Sequence, residues 1–128
     1  MDISLSGHVA IVTGSESGIG QSIAKIFGTN GASVIVTEFA YPDRAKETVG
    51  EILRLGGRAA AVHADVSKES DVEQLFAQAE KQFGPVTILV NDAGINGEPA
   101  RVADLTPDAW NEILGTNLTG PFLCSRRY

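Results

Sequence analysis

The run Thr13-Gly14-Ser15-Glu16-Ser17-Gly18-Ile19-Gly20 sets three glycines into eight positions directly behind an apolar stretch. Glycines at that spacing let the backbone turn tightly, and they let an anion approach the free N–H groups at the start of a helix. The chemistry indicated is the binding of a pyrophosphate. It is not the loop of a nucleoside triphosphatase, because Gln21 and Ser22 stand where a lysine and then a hydroxyl would have to follow. Eighteen residues beyond Gly20, a second apolar run ends in Glu38. A carboxylate there can accept both hydroxyls of an adenosine ribose and repels a 2′-phosphate; the competing reading is a surface glutamate at a strand end. Phe39 follows Glu38, and Glu16-Ser17 puts an acid in the loop, so NAD is favoured over NADP, with Arg44 the nearby cation that could receive a phosphate.

These residues need a scaffold that gathers them, and the hydropathy pattern supplies one. His8 to Thr13 (HVAIVT), Ser33 to Thr37 (SVIVT), Ala59 to Ala64 (AAAVHA) and Val86 to Val90 (VTILV) read as short strands, the first buried on both faces. Between them lie helical spacings: Ile19, Ile23, Ile26 and Phe27 up to Gly31; Ala45, Val49, Ile52 and Leu53 behind Pro42; and Val72, Leu75, Phe76, Ala79 and Phe83 up to Gly84-Pro85. A loop follows from Asn91 to Pro107. Thr106 caps a last helix whose apolar positions are Trp110, Ile113, Leu114, Leu118 and Phe122. Four strands alternating with four helices imply an α/β fold, a parallel sheet with right-handed crossovers and helices on both faces. Ligands of such sheets bind beyond the carboxyl ends of the strands, here Thr13 to Gly20, Glu38, Asp65 and Asn91 to Gly94.

Composition bounds the alternatives. The chain has 128 residues, 16 acidic against 10 basic for a net charge of −6, and is 43% hydrophobic. A domain of this size buries roughly two thirds of its unfolded surface without disulfide or metal support. The acidic balance argues against nucleic-acid and anionic-membrane partners, and Arg126-Arg127 reads as a solvated helix end. Cys124 is the only cysteine, and His8 and His63 sit in separate apolar runs without ligand spacing, so no metal site is expected. Cys124 reads as a packing residue in a reducing compartment. No stretch approaches the ~20 apolar residues of a membrane span, and the first residues lack a signal-peptide pattern, which points to the cytoplasm.

With these motifs in order, the chain resembles the N-terminal half of a short-chain dehydrogenase/reductase. The likeness rests on T-G-x-x-x-G-x-G at Thr13 to Gly20, an acidic-plus-aliphatic pair at Asp65-Val66, N-N-A-G present as Asn91-Asp92-Ala93-Gly94, and N-x-x-G at Asn117 to Gly120. The run Asn117 to Leu123 is further similar to glucose 1-dehydrogenases and 3-oxoacyl-carrier-protein reductases. The resemblance implies a Rossmann-type doubly wound sheet of order 3-2-1-4, residues 1–128 being an incomplete dinucleotide-binding domain. It implies that Thr13, Gly14, Ser15, Ser17, Gly18, Ile19 and Gly20 line the cofactor phosphates and nicotinamide ribose. Asp65 would accept from the adenine amino group, Val66 would offer its N–H, and Asn91, Asp92, Ala93 and Gly94 would run under the adenosine ribose. Aspartate at 92 departs from the family asparagine: it keeps an acceptor, loses the amide donor and adds charge.

Asn117 matches the asparagine of the family's Asn-Ser-Tyr-Lys set. Residue 121 is proline and has no N–H for the carbonyl of residue 117, so the helix should kink and leave that carbonyl free, where the family holds a proton-relay water. The serine and the Tyr-x-x-x-Lys pair that move the proton during hydride transfer are not found: neither Tyr41 nor Tyr128 is followed by lysine four residues on. The expectation is therefore a truncated NAD(P)-dependent oxidoreductase of small alcohols or carbonyls, inactive alone. The alternative is a non-catalytic module that binds a nucleotide or a partner subunit. Either would expose an edge strand and the apolar face of the last helix, favouring self-association.

Overall fold

A computed structural model describes residues 3–128. The β-branched runs pair in parallel as β1 (Val9–Val12), β2 (Ser33–Glu38), β3 (Arg58–His63) and β4 (Ile88–Val90). Their order in the sheet is β3-β2-β1-β4. The intervening helices are α1 (Gly18–Thr29), α2 (Pro42–Arg54) and α3 (Glu69–Phe83). Register lines up Ile11 with Ile35 and Leu89, and Val12 with Val36 and Val90. Side chains alternate across the sheet, so these two rows feed two separate cores. Ile11 and Ile35 pack with Val72, Leu75, Phe76 and Ala79 of α3 and with Leu123 and Cys124 near the end of the chain. Val12, Val34 and Val36 pack with Ala24 of α1 and with Ala45 and Ile52 of α2. The doubly wound sandwich expected from the alternation is thus present.

Two helix faces differ from the hydropathy reading. On α1 the buried positions are Gly20, Ala24 and Gly28, whereas Ile19 is 72% and Ile26 59% exposed. On α2 they are Ala45, Thr48 and Ile52, and Leu53 is exposed. The reason is distance: a Cβ on Gly28 would lie 2.5 Å from Ile52 Cγ2. The α1 backbone approaches Ile52 so closely that only small residues fit there, so Ile19 and Ile26 turn outward while Ile23 and Phe27 pack at the margin of the core.

The expected last helix is one run in three pieces. Thr106 Oγ1 accepts the Ala109 N–H at 3.2 Å and starts α4 (Pro107–Leu114). A π-helical turn (Gly115–Thr119) follows, then α5 (Gly120–Arg127). The Gly120 N–H reaches five residues back to the Gly115 carbonyl, widening the ladder just ahead of Pro121, which has no N–H to offer. Gly120, Leu123 and Cys124 face the core; Trp110, Leu118 and Phe122 are exposed. Arg126 and Arg127 are not a free helix end. Arg126 pairs with Glu69, and Arg127 with Glu73 at 3.0 Å and Glu80 at 3.1 Å, fastening α5 to α3. Burial pushes the Cys124 thiol up to about 11, which leaves it a neutral packing group. Among the described residues no helix is long and apolar enough to cross a membrane, and no cluster of metal-ligating side chains occurs.

Candidate dinucleotide site

The loop that links β1 to α1 is built by hydroxyls beneath it. Thr13 Oγ1 accepts the N–H groups of Asp92 and Ala93 at 3.0 Å each and donates to the Val90 carbonyl at 3.3 Å. Ser15, fully buried, donates to the Val12 carbonyl at 2.6 Å and accepts the Thr37 N–H at 3.0 Å. Thr37 Oγ1 in turn donates to the Val12 carbonyl and accepts the Gly14 N–H at 3.0 Å. Ser15, expected among the residues lining the cofactor, has its hydroxyl committed inside the fold. An anion at this loop would meet backbone N–H groups instead.

Glycine is required at Gly14, whose φ is +65° and where a Cβ would lie 2.8 Å from Ala93 Cα. At Gly20 a Cβ would meet Asp92 Oδ2 at 2.6 Å and the Gly14 carbonyl at 2.7 Å. Ser17 precedes α1 in extended conformation and its side chain makes no cap bond, nor does α1 carry an acid in its first turn. The opening N–H groups of α1 thus have no side-chain acceptor of their own, and Gly18 faces open space. A helix start so presented attracts phosphate oxygens.

Glu38 lies at the carboxyl end of β2, opposite His63 of β3 in register. One oxygen, Oε1, is 3.0 Å from His63 Nδ1, and the His63 ring stacks on Phe39 with centroids 5.8 Å apart. The other oxygen, Oε2, is buried without a hydrogen-bond partner, the only such side-chain atom among the described residues. An orphan acceptor of this kind costs about 1–3 kcal/mol until a donor arrives, which suits a ribose hydroxyl. Glu16 reaches across from the glycine loop: its Oε2 accepts the N–H groups of Phe39 at 2.9 Å and Tyr41 at 3.2 Å. Arg44, the cation weighed as a phosphate acceptor, places its guanidinium 4.6 Å over the Tyr41 ring.

The remaining candidates follow β3 and β4 or lie in the π turn. Asp65 Oδ1 accepts the Ser67 N–H at 3.0 Å and hydroxyl at 2.6 Å, with Lys68 nearby. Burial raises its carboxyl, but the Ser67 hydrogen bonds and Lys68 outweigh that and hold it below the usual aspartate value. Val66 is buried, its Cγ2 2.7 Å from where a Gly120 Cβ would sit. Asn91 Nδ2 donates to Ser125 Oγ at 3.2 Å. Asn117, in the π turn, grips the loop after β4: its Oδ1 accepts the Ile95 N–H and its Nδ2 donates to the Ile95 carbonyl, both at 2.8 Å. Its amide also packs 3.3 Å from the position of a Gly94 Cβ. The fold therefore gathers the Gly14–Gly20 loop, Glu38 and the Asn91–Gly94 segment with Asn117 at one end of the sheet. Glu16, weighed from the sequence only as a charge in the loop, joins them through its hydrogen bonds, and Thr37 and His63 join them unforeseen. Pairing β2 with β3 would have exposed His63; nothing in the sequence signals the Glu16 contact.

A parallel sheet of order 3-2-1-4 with a glycine turn leading from β1 into α1 defines a Rossmann-like architecture. The family model described as short chain dehydrogenase matches residues 8–128. The chain belongs to that family. It is 40% identical over 119 residues to glucose 1-dehydrogenase 2 of Bacillus subtilis, covering 93% of this chain and 46% of that protein. It is 43% identical over 124 residues to 3beta-hydroxysteroid dehydrogenase 1 of Eggerthella lenta, covering 96% and 47%. A solved dehydrogenase/reductase from Sinorhizobium meliloti superposes with a TM-score of 0.93 at 38% identity, covering 98% of this chain and 49% of that one. The chain thus spans about half the length of the relatives it matches.

Proposed function

We propose that these residues are the cofactor-binding half of an NAD-dependent oxidoreductase that interconverts a small alcohol and its carbonyl compound in the cytoplasm. The observation that carries this reading is the buried, partnerless Glu38 Oε2 facing the same end of the sheet as the uncapped start of α1. One group waits for a hydroxyl, the other for a phosphate, and an adenosine diphosphate moiety supplies both. The nicotinamide would supply the hydride chemistry. The chain's own residues bind and orient: the loop beyond Gly14, up to Gly20, offers N–H groups to the pyrophosphate, Glu38 takes the ribose, Asp65 and Val66 flank the adenine, and Asn91 to Gly94 form the floor. Asn117 holds that floor through Ile95, so its side chain acts as a positioning group.

Glu38, with Glu16 beside it, favours NAD over NADP by charge. These 128 residues hold no Tyr-x-x-x-Lys pair, so by themselves they are expected to bind without turnover. The exposed Trp110, Leu118 and Phe122 suit a further role in self-association, either through this face or beside β4. Calorimetric titration of the purified chain tests the reading. NAD+ should bind more tightly than NADP+, Glu38→Ala should weaken NAD+ by about tenfold or more, and an alcohol panel should yield no NADH. Binding of neither dinucleotide would sink the assignment.

A further inference from the structure

The Glu38 side chain is only 11% exposed and keeps Oε2 buried without a partner, although a free glutamate could rotate that oxygen into water. An orphan acceptor is costly, so the carboxylate must be held where it is. The restraint comes from β3. Register sets His63 beside Glu38 on the neighbouring parallel strand, with both side chains on one face of the sheet. His63 Nδ1 stands 3.0 Å from Oε1. A carboxylate has no proton to give, so Nδ1 carries the hydrogen and donates it. The imidazole is itself steadied by Phe39, whose ring stacks on it at 28° between planes. The nearby acids are engaged elsewhere, Glu16 with the Phe39 amide and Asp65 with Ser67.

We infer that His63 is a positioning residue for the dinucleotide: by tying Oε1 it keeps Oε2 as the free acceptor for a ribose hydroxyl. The inference rests on Glu38 being the ribose ligand, and it adds that the geometry of the carboxylate is set from the next strand. A carboxylate held in advance loses less freedom when ligand arrives, so His63 raises affinity without touching the nucleotide. Two substitutions separate the hydrogen bond from the bulk of the ring. His63→Asn places an amide N–H near the position of Nδ1, whereas His63→Phe keeps a ring for Phe39 and has no donor.

Calorimetric titration with NAD+ tests the consequence. His63→Phe should bind about threefold to tenfold more weakly than the unmodified chain, and His63→Asn should recover most of that loss. Equal losses in both variants would show a merely structural role, and equal affinity in all three chains would show that His63 holds nothing; either result overturns the inference. In a Glu38→Ala background His63→Phe should cost nothing further, because the two residues act as a unit, and a full further loss would overturn that coupling. His63→Leu carries the test if His63→Phe does not fold. Imidazole nitrogen resonances give a readout without ligand. In alkaline buffer, where imidazoles are neutral, the His63 proton should sit on Nδ1 in the unmodified chain and lose that preference in Glu38→Ala. A proton on Nε2 in the unmodified chain would overturn the inference. If NAD+ does not bind the unmodified chain at all, the cofactor reading falls and takes the ligand role of His63 with it, whereas binding that is indifferent to residue 63 overturns this inference alone.

Discussion

Asp92 sits where an asparagine would be electrically silent. Its Oδ2 lies 2.6 Å from the position of a Gly20 Cβ, against the first turn of α1. A carboxylate at a helix start is attracted by the exposed N–H groups, but those are the groups a pyrophosphate would need. The two effects give Asp92→Asn opposite signs in two measurements. Without ligand the variant should lose about 0.3–1 kcal/mol of stability in denaturant unfolding, and NAD+ should bind about twofold to fivefold more tightly in calorimetry. Weaker binding would show that the carboxylate serves the ligand. At this scale the placement of the glycines, Glu38 and Asn91 to Gly94 at one end of the sheet was legible, because each follows directly on an apolar strand run. The grip of Glu16 on the Phe39 and Tyr41 amides was not, since backbone donors are present at every position and only the fold decides which converge.

Among elements, α1 and α2 show how far hydropathy can mislead. Periodicity weighs Ile19 and Ile26 heavily and glycine hardly at all, yet the buried stripe of α1 is Gly20, Ala24 and Gly28. α3 was read correctly because Val72, Leu75, Phe76 and Ala79 make a conventional large-residue stripe. The distinction is testable with one substitution at two sites. In a helix interior Gly→Ala gains up to about 1 kcal/mol from propensity alone. At Gly50, where a Cβ meets nothing within 4 Å, that gain should appear as a raised Tm. At Gly28 the Cβ would drive into Ile52, a stiff, fully buried side chain, and overpacking costs about 1–3 kcal/mol. Gly28→Ala should therefore lower the Tm. Parallel shifts at both positions would contradict the close helix–helix approach.

For the whole molecule, the sheet order leaves β3 and β4 at the edges and β1 and β2 between them. The floor proposed for the site hangs on the junction of β1 with the edge strand β4, where Thr13 Oγ1 extends the ladder of Ala10–Val12 with Ile88–Val90 onto the segment after β4. The bond it accepts from Asp92 spans 79 positions of sequence. Closing a loop of that length carries roughly 4 kcal/mol of chain entropy by the logarithmic law, so the contact cannot lead the folding reaction without extensive prior structure. β1, α1 and β2 are neighbours in sequence and can assemble first; the floor under a nucleotide is laid only when β4 docks. Ligand affinity is then a property of the finished chain alone. NAD+ added during refolding should leave the folding rate unchanged and slow unfolding in stopped-flow measurements, and a faster folding limb would mean that β4 docks early. Kinetically, the Thr13 hydroxyl is a late latch: it makes recognition of the dinucleotide wait for completion of the sheet.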